Sequence, residues 1–239
     1  MEFSQEELNI KQAAEEFARQ SKKKIAKEIT STLAYPSETN PVSVFMAGSP
    51  GAGKTESSKW LITKLAGKED GILRIDSDDL RNSFKEYGYT GGNSHLFQGA
   101  TSILAEKIHD YAIDNQQSFV FDGTFSHIDK ARNNIMRSVN HNRPVQILYV
   151  YQDPIQAWEF VKARALKDGR EVPKDAFIEQ YFKARKTVNI LKKEFPSVKV
   201  YLLIKNIDGS TQEYRENIDI IDNYVKEEYT VDALNNMLL

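Results

Sequence analysis

The sequence predicts an α/β fold: a parallel sheet of about five strands with helices on both faces. Three observations carry this. Strand-length apolar runs such as "VSVFMAG", "SFVF", "VQILYVY" and "VKVYLLI" alternate with helical patterns, the order that builds a parallel sheet covered on both sides. The first run ends in the glycine-rich "GSPGAGKT". The second, Ile72 to Ile75, runs into Asp76, Asp78 and Asp79. Such sheets bind ligands at the carboxyl ends of their strands, where carboxylates stay solvated or paired rather than buried.

Residues 4–30 read as a helix, with Ser4 and Glu7 in capping-box spacing and Phe3 and Leu8 as a hydrophobic staple. Its stripe of Leu8, Ala13, Ala14, Phe17, Ile25 and Ile29 is sparse, so residues 1–40 are expected to form an arm and connector packed on a main domain of residues 41–239. Strand 42–48 follows, then a helix over 53–66 with Trp60, Leu61 and Leu65 on one face, and strand 72–75. Next come a helix over 99–114 and strands 118–121 and 145–151. Pro154 suits the first turn of a further helix. A long helix after Pro173, strand 198–204 and a mostly helical stretch over 213–239 complete the expectation.

Bulk composition excludes several classes. The 239 residues carry a net charge of −2, unlike a strongly basic nucleic-acid binder, so nucleic acid is not the expected partner. Without cysteine there is no disulfide, thiolate metal site or cysteine nucleophile. The polar start is no secretory signal, and the longest apolar runs fall well short of the roughly 20 residues of a membrane span. A cytoplasmic location and no membrane partner are expected. The four histidines have no metal-ligand spacing.

"GSPGAGKT", Gly48 to Thr55, fits G-x-x-x-x-G-K-[ST] at every position, with a strand before it and a helix after. Gly48, Ser49, Pro50, Gly51, Ala52, Gly53, Lys54, Thr55 and the following Glu56 are thus expected to bind a nucleoside triphosphate. Glycines let successive N–H groups turn toward phosphate oxygens. Lys54 is placed for the β- and γ-phosphates and Thr55 for Mg²⁺. Strand 118–121 ends "FVFDGT", so Asp122 is a second candidate for Mg²⁺ and Thr124 a candidate substrate contact. Asp78 is expected to face the γ-phosphate and take a proton from an acceptor hydroxyl; the competing reading makes Ser77 or Asp78 a helix cap. Arg164 and Arg170 flank Gly169 in a segment over 160–177, read either as a lid that brings an arginine over the γ-phosphate or as a solvated basic face.

"GSPGAGKT", "IDSDDLR", "DGT" and "GREVPKDAF", in that order and spacing, resemble the zeta-toxin family, kinase toxins of bacterial toxin–antitoxin systems. The resemblance runs over roughly residues 40–205. It implies a P-loop kinase fold and ATP-dependent phosphorylation of a UDP-activated amino sugar, UDP-N-acetylglucosamine. It also implies a possible antitoxin partner. Carried over by position, it gives Lys54 to phosphate, Asp78 to base catalysis, Arg164 and Arg170 to the lid, and Glu106 and Thr124 to substrate. The family's glutamate before the glycine is Asp122 here, and an arginine that often follows the threonine by two is Ser126. The acceptor stays open between that sugar, another nucleotide sugar and a different small alcohol. Two other classes also stay open. One is a polynucleotide 5′-kinase; the other is a nucleotide-binding switch, for which "KNID" (205–208) has the wrong order to recognise guanine.

Overall fold

The computed structural model describes residues 3–66, 72–169 and 171–238. Strands β1 (Ser43–Ala47), β2 (Leu73–Asp76), β3 (Phe119–Asp122), β4 (Val145–Tyr151), β5 (Lys199–Lys205) and β6 (Thr211–Arg215) form one sheet in the order β2-β3-β1-β4-β5-β6. The first five are parallel, as expected. The sixth is antiparallel to β5, which corrects the helical reading of 213–239. Asp208-Gly209 is a turn dipeptide, with Gly209 at φ +81°. The short loop reverses the chain, and a connection this short can only give an antiparallel pair.

Helices α1 (Gln5–Ile29), α2 (Lys54–Ala66), α3 (Ser77–Leu80), α4 (Gln98–Asp114), α5 (Ile128–Asn140), α6 (Pro154–Asp168), α7 (Lys174–Glu194) and α8 (Val231–Met237) surround the sheet. The central strand is buried along its whole length. Val44 and Met46 pack with Ala52, Ile62, Val120, Leu148 and Val150 on one face. Phe45 and Ala47 join Ile75, Leu104, Ile108 and Phe119 on the other. Alternation along β1 therefore feeds two cores.

The capping box of α1 is present: Glu7 N–H donates to Ser4 Oγ at 3.2 Å, and Ser4 N–H donates to Glu7 Oε2 at 2.8 Å. The expected staple is not formed. Leu8 is exposed, and Phe3 instead stacks on His95. Ala14, Ala18 and Ala26 bury the inner face of α1, which lies against α4. A Cβ on Gly99 would lie 2.5 Å from Glu15 Oε1, so the two helices meet closely there. On α2, Trp60 is exposed and lies edge-on to Tyr214; Ile62 takes the inward position. The side chain of Leu65 lies outside the described residues. Among the described residues no helix is long and apolar enough to cross a membrane.

Candidate active site

The loop between β1 and α2 opens at the carboxyl end of the central strand. Gly48, Gly51 and Gly53 have φ of +138°, +74° and +82°, conformations that side chains other than glycine rarely adopt. Space adds a second constraint at two of them. A Cβ on Gly48 would lie 2.3 Å from the Val150 carbonyl oxygen, and one on Gly51 2.1 Å from that of Ala157. The loop start is also tied to β3, because Gly48 N–H donates to the Thr124 carbonyl at 3.2 Å. Lys54 Nζ donates to the carbonyls of Gly48 (3.0 Å) and Ser49 (2.7 Å). Burial pushes its pKa down, against the pull of Asp122, Asp78 and Asp76; Arg164 lowers it further.

Thr55 Oγ1 stands 3.5 Å from Asp122 Oδ2. A hydroxyl and a carboxylate oxygen are donors that suit Mg²⁺, which takes few protein ligands and completes its octahedron with water and phosphate oxygens. Among the described residues, no three His, Cys, Asp or Glu side chains group into a metal site by themselves.

The aspartates after β2 divide into two ion-pair groups. Asp76 caps α3 by accepting from Asp78 N–H at 2.8 Å. That assigns the cap to Asp76, not to Ser77 or Asp78. Arg74, on the same face of β2, bonds Asp76, reaches Asp79 Oδ2 at 2.7 Å and meets Asp122 Oδ2 at 3.1 Å. Burial, then the charges of Asp78 and Asp122, raise the Asp76 pKa to about 7, against Arg74 and the cap bond. Asp78 is held from two sides instead. Arg81 Nη1 donates to its Oδ1 at 2.6 Å, and Arg164 Nη2, from α6, donates to its Oδ2 at 3.1 Å.

The structure therefore gathers Lys54, Thr55, Asp78, Asp122 and Arg164 at one end of the sheet. Arg170 lies outside the described residues. Thr124 and Ser126 share a 2.9 Å hydroxyl–hydroxyl bond across Phe125, whose φ of +61° is rare for a bulky residue. Glu106 pairs with Lys130 at 3.6 Å rather than lying free in solvent. Arg74, Arg81 and Lys130 were not singled out from the sequence. Strand alternation could have placed Arg74 beside Asp76, and helical i, i+3 spacing Arg81 beside Asp78.

The fold matches known structures at low sequence identity. A chain of the PezAT chromosomal toxin–antitoxin system of the human pathogen Streptococcus pneumoniae superposes with a TM-score of 0.60 at 16% identity, over 99% of this chain and 93% of that one. A chain of the AvrRxo1-ORF1:AvrRxo1-ORF2 complex with sulphate ions gives 0.60 at 17% identity, over 96% and 75%. A structure of that complex with ATP gives 0.56 at 16%, over 90% and 67%. No curated protein matches the sequence. The Zeta toxin family model matches residues 26–219, and with its kinase-like fold the chain belongs to the zeta toxin family.

Proposed function

We propose that this protein is a zeta-type toxin kinase that transfers the γ-phosphoryl group of ATP to a hydroxyl of a small nucleotide-linked sugar, with UDP-N-acetylglucosamine the first acceptor to test. The observation that carries the reading is the placement of Asp78. Its carboxylate stands at the end of β2, bound by an arginine from another element, and its charge is felt at Lys54 on the phosphate loop.

In this reading the loop N–H groups and Lys54 hold the triphosphate, and Thr55 and Asp122 would hold Mg²⁺, which would neutralise phosphate charge. The acceptor enters beside Glu106, Thr124 and Ser126. Asp78 takes the proton of its hydroxyl, the freed oxygen bonds to the γ-phosphorus, and the bond from that phosphorus to the β–γ bridging oxygen breaks, releasing ADP. Arg164 exchanges Asp78 for the γ-phosphoryl oxygens as charge develops there; Arg81 stays and fixes the carboxylate. Arg170 is assigned to the same lid. The AvrRxo1-ORF1:-ORF2 structure with ATP supports the donor, and the PezAT toxin–antitoxin system supports an antitoxin as protein partner.

The test is to incubate the protein with Mg²⁺ and ATP against UDP-sugars and a 5′-hydroxyl oligonucleotide, and to read phosphate gain by mass spectrometry. A UDP-sugar should gain phosphate, and Asp78→Asn should cut the rate by about 10²–10⁴-fold, the usual share of a general base, with ATP binding retained. Near-normal turnover by that variant, or transfer to the oligonucleotide alone, would overturn the proposal.

A further inference from the structure

We infer that Lys205 is a second phosphate-binding lysine of this site, donating to the α-phosphate of the bound nucleotide. The inference rests on the kinase reading above and extends it to the part of the donor away from the reacting bond.

Lys205 is the last residue of β5, at the same end of the sheet as the phosphate loop. Its side chain reaches the back of that loop: a Cβ on Gly53 would sit 3.4 Å from Lys205 Cε. The pairing of β5 with β6 is irregular between Ile204 and Lys205, and such irregularities re-aim side chains at sheet ends. The backbone just beyond Lys205 is pinned. Buried Gln152, after β4, donates from Nε2 to the Asn206 carbonyl at 2.7 Å and accepts from Asp153 N–H at 2.9 Å. The turn then closes through Asn206 N–H to the Ser210 carbonyl at 2.8 Å. A flexible lysine is thus mounted on a rigid base.

Its charge has little to pair with. Lys205 makes no hydrogen bond or ion pair with the described residues. Burial pushes its pKa down, and only the nearby Glu56 charge works against that. A partly desolvated ammonium without a donor–acceptor contact is costly unless an anion arrives. Beside a loop whose N–H groups face phosphates, that anion is phosphate.

Sheet order says which phosphate. Asp78 follows β2, and β2 and β3 lie on one side of β1; β4 and β5 lie on the other. The γ-phosphate must face Asp78 for transfer, so the triphosphate runs back across the loop toward β5. Lys54 bonds the carbonyls at the start of the loop, while Lys205 Cε lies 3.4 Å from where a Cβ on Gly53 would stand. The two lysines serve opposite ends of one chain of phosphates, with Lys54 at β/γ.

The experiment is calorimetric titration of the full chain and of Lys205→Ala and Lys205→Arg with ATP, ADP and AMP, with melting temperature as the fold control. Loss of a hydrogen bond to a charged group corresponds to about 10-fold or more in affinity. The Ala variant should weaken all three nucleotides by a similar factor and Arg should restore most of it, with unchanged melting temperature. A loss confined to ATP would place Lys205 at the γ end and overturn the assignment, as would unchanged binding of all three. If the wild-type chain itself bound no nucleotide, the kinase reading would fall first.

Discussion

Replacing Arg74 by methionine isolates the electrostatics under the site. The guanidinium joins Asp76, Asp79 and Asp122, and the Asp76 and Asp122 side chains are only 10% and 6% exposed. Methionine keeps the stem and removes the charge, leaving two poorly solvated carboxylates beside each other. Breaking a buried pair in this way costs about 3–5 kcal/mol. At roughly 2–4 °C per kcal/mol for a chain of this length, the melting temperature should fall by about 6–20 °C at pH 8.5. The fall should shrink in acid. Asp76 already has its folded pKa raised from 3.8 to about 7. Its contribution to stability is therefore fully present below its unfolded pKa and lost as pH rises through the folded value. Without Arg74, which holds that pKa down, the loss on raising pH is steeper, and the variant and wild type should converge toward pH 5. The assay is differential scanning calorimetry from pH 5 to 8.5. A melting temperature within 2 °C of wild type at pH 8.5, or a deficit that does not change with pH, refutes the account.

Two further outcomes test the loop and the core. Gly51→Ala should abolish nucleotide binding because its Cβ meets a main-chain oxygen at 2.1 Å, whereas Gly53→Ala meets the movable side-chain ends of Lys205 and Glu56 and should cost about 1–2 kcal/mol from its left-handed φ; parallel ATP titrations and melts separate the two. His109 is fully buried among Phe45, Phe119 and Phe121. Burial, then Arg137 and Arg143, lower its pKa from 6.5 to about 3. Its contribution is present above pH 6.5 and lost as pH falls toward 3, so His109→Leu should flatten the acid limb of the stability curve, measured by urea unfolding at pH 7, 5.5 and 4. An unchanged limb would mean other groups drive acid unfolding.

The phosphate loop was legible because its requirement is local: positive φ at three positions leaves a glycine signature in eight consecutive residues. The nearness of Thr55 to Asp122 was legible from their places at the end of the loop and the end of β3. The ion-pair partners were not, since Arg74 and Asp122 are 48 residues apart and only the pairing of β2 with β3 brings them together. Helix α5 escaped although its signal is local. Its buried stripe, Ala131, Asn134, Ile135 and Ser138, flanked by Ile128 and Val139 against the core, has helical spacing, so the periodicity was there to be read between two strands already recognised. The sixth strand turned on one Asp-Gly pair. Trp60 shares a helix with Ile62 but is exposed and lies edge-on to Tyr214 of β6.

The seam between α1 and α4 has a wider reach than its small side chains suggest. Ala14, Ala18 and Ala26 keep the hidden side of α1 thin where it lies against α4, and α4 also carries Ser102 and Glu106, which meet Lys130 of α5. The first helix thus acts as a shim: adding a few carbons on its hidden side would push on a helix whose Ser102 and Glu106 meet Lys130. Bulk introduced early in the chain would be felt at that distant contact between α4 and α5.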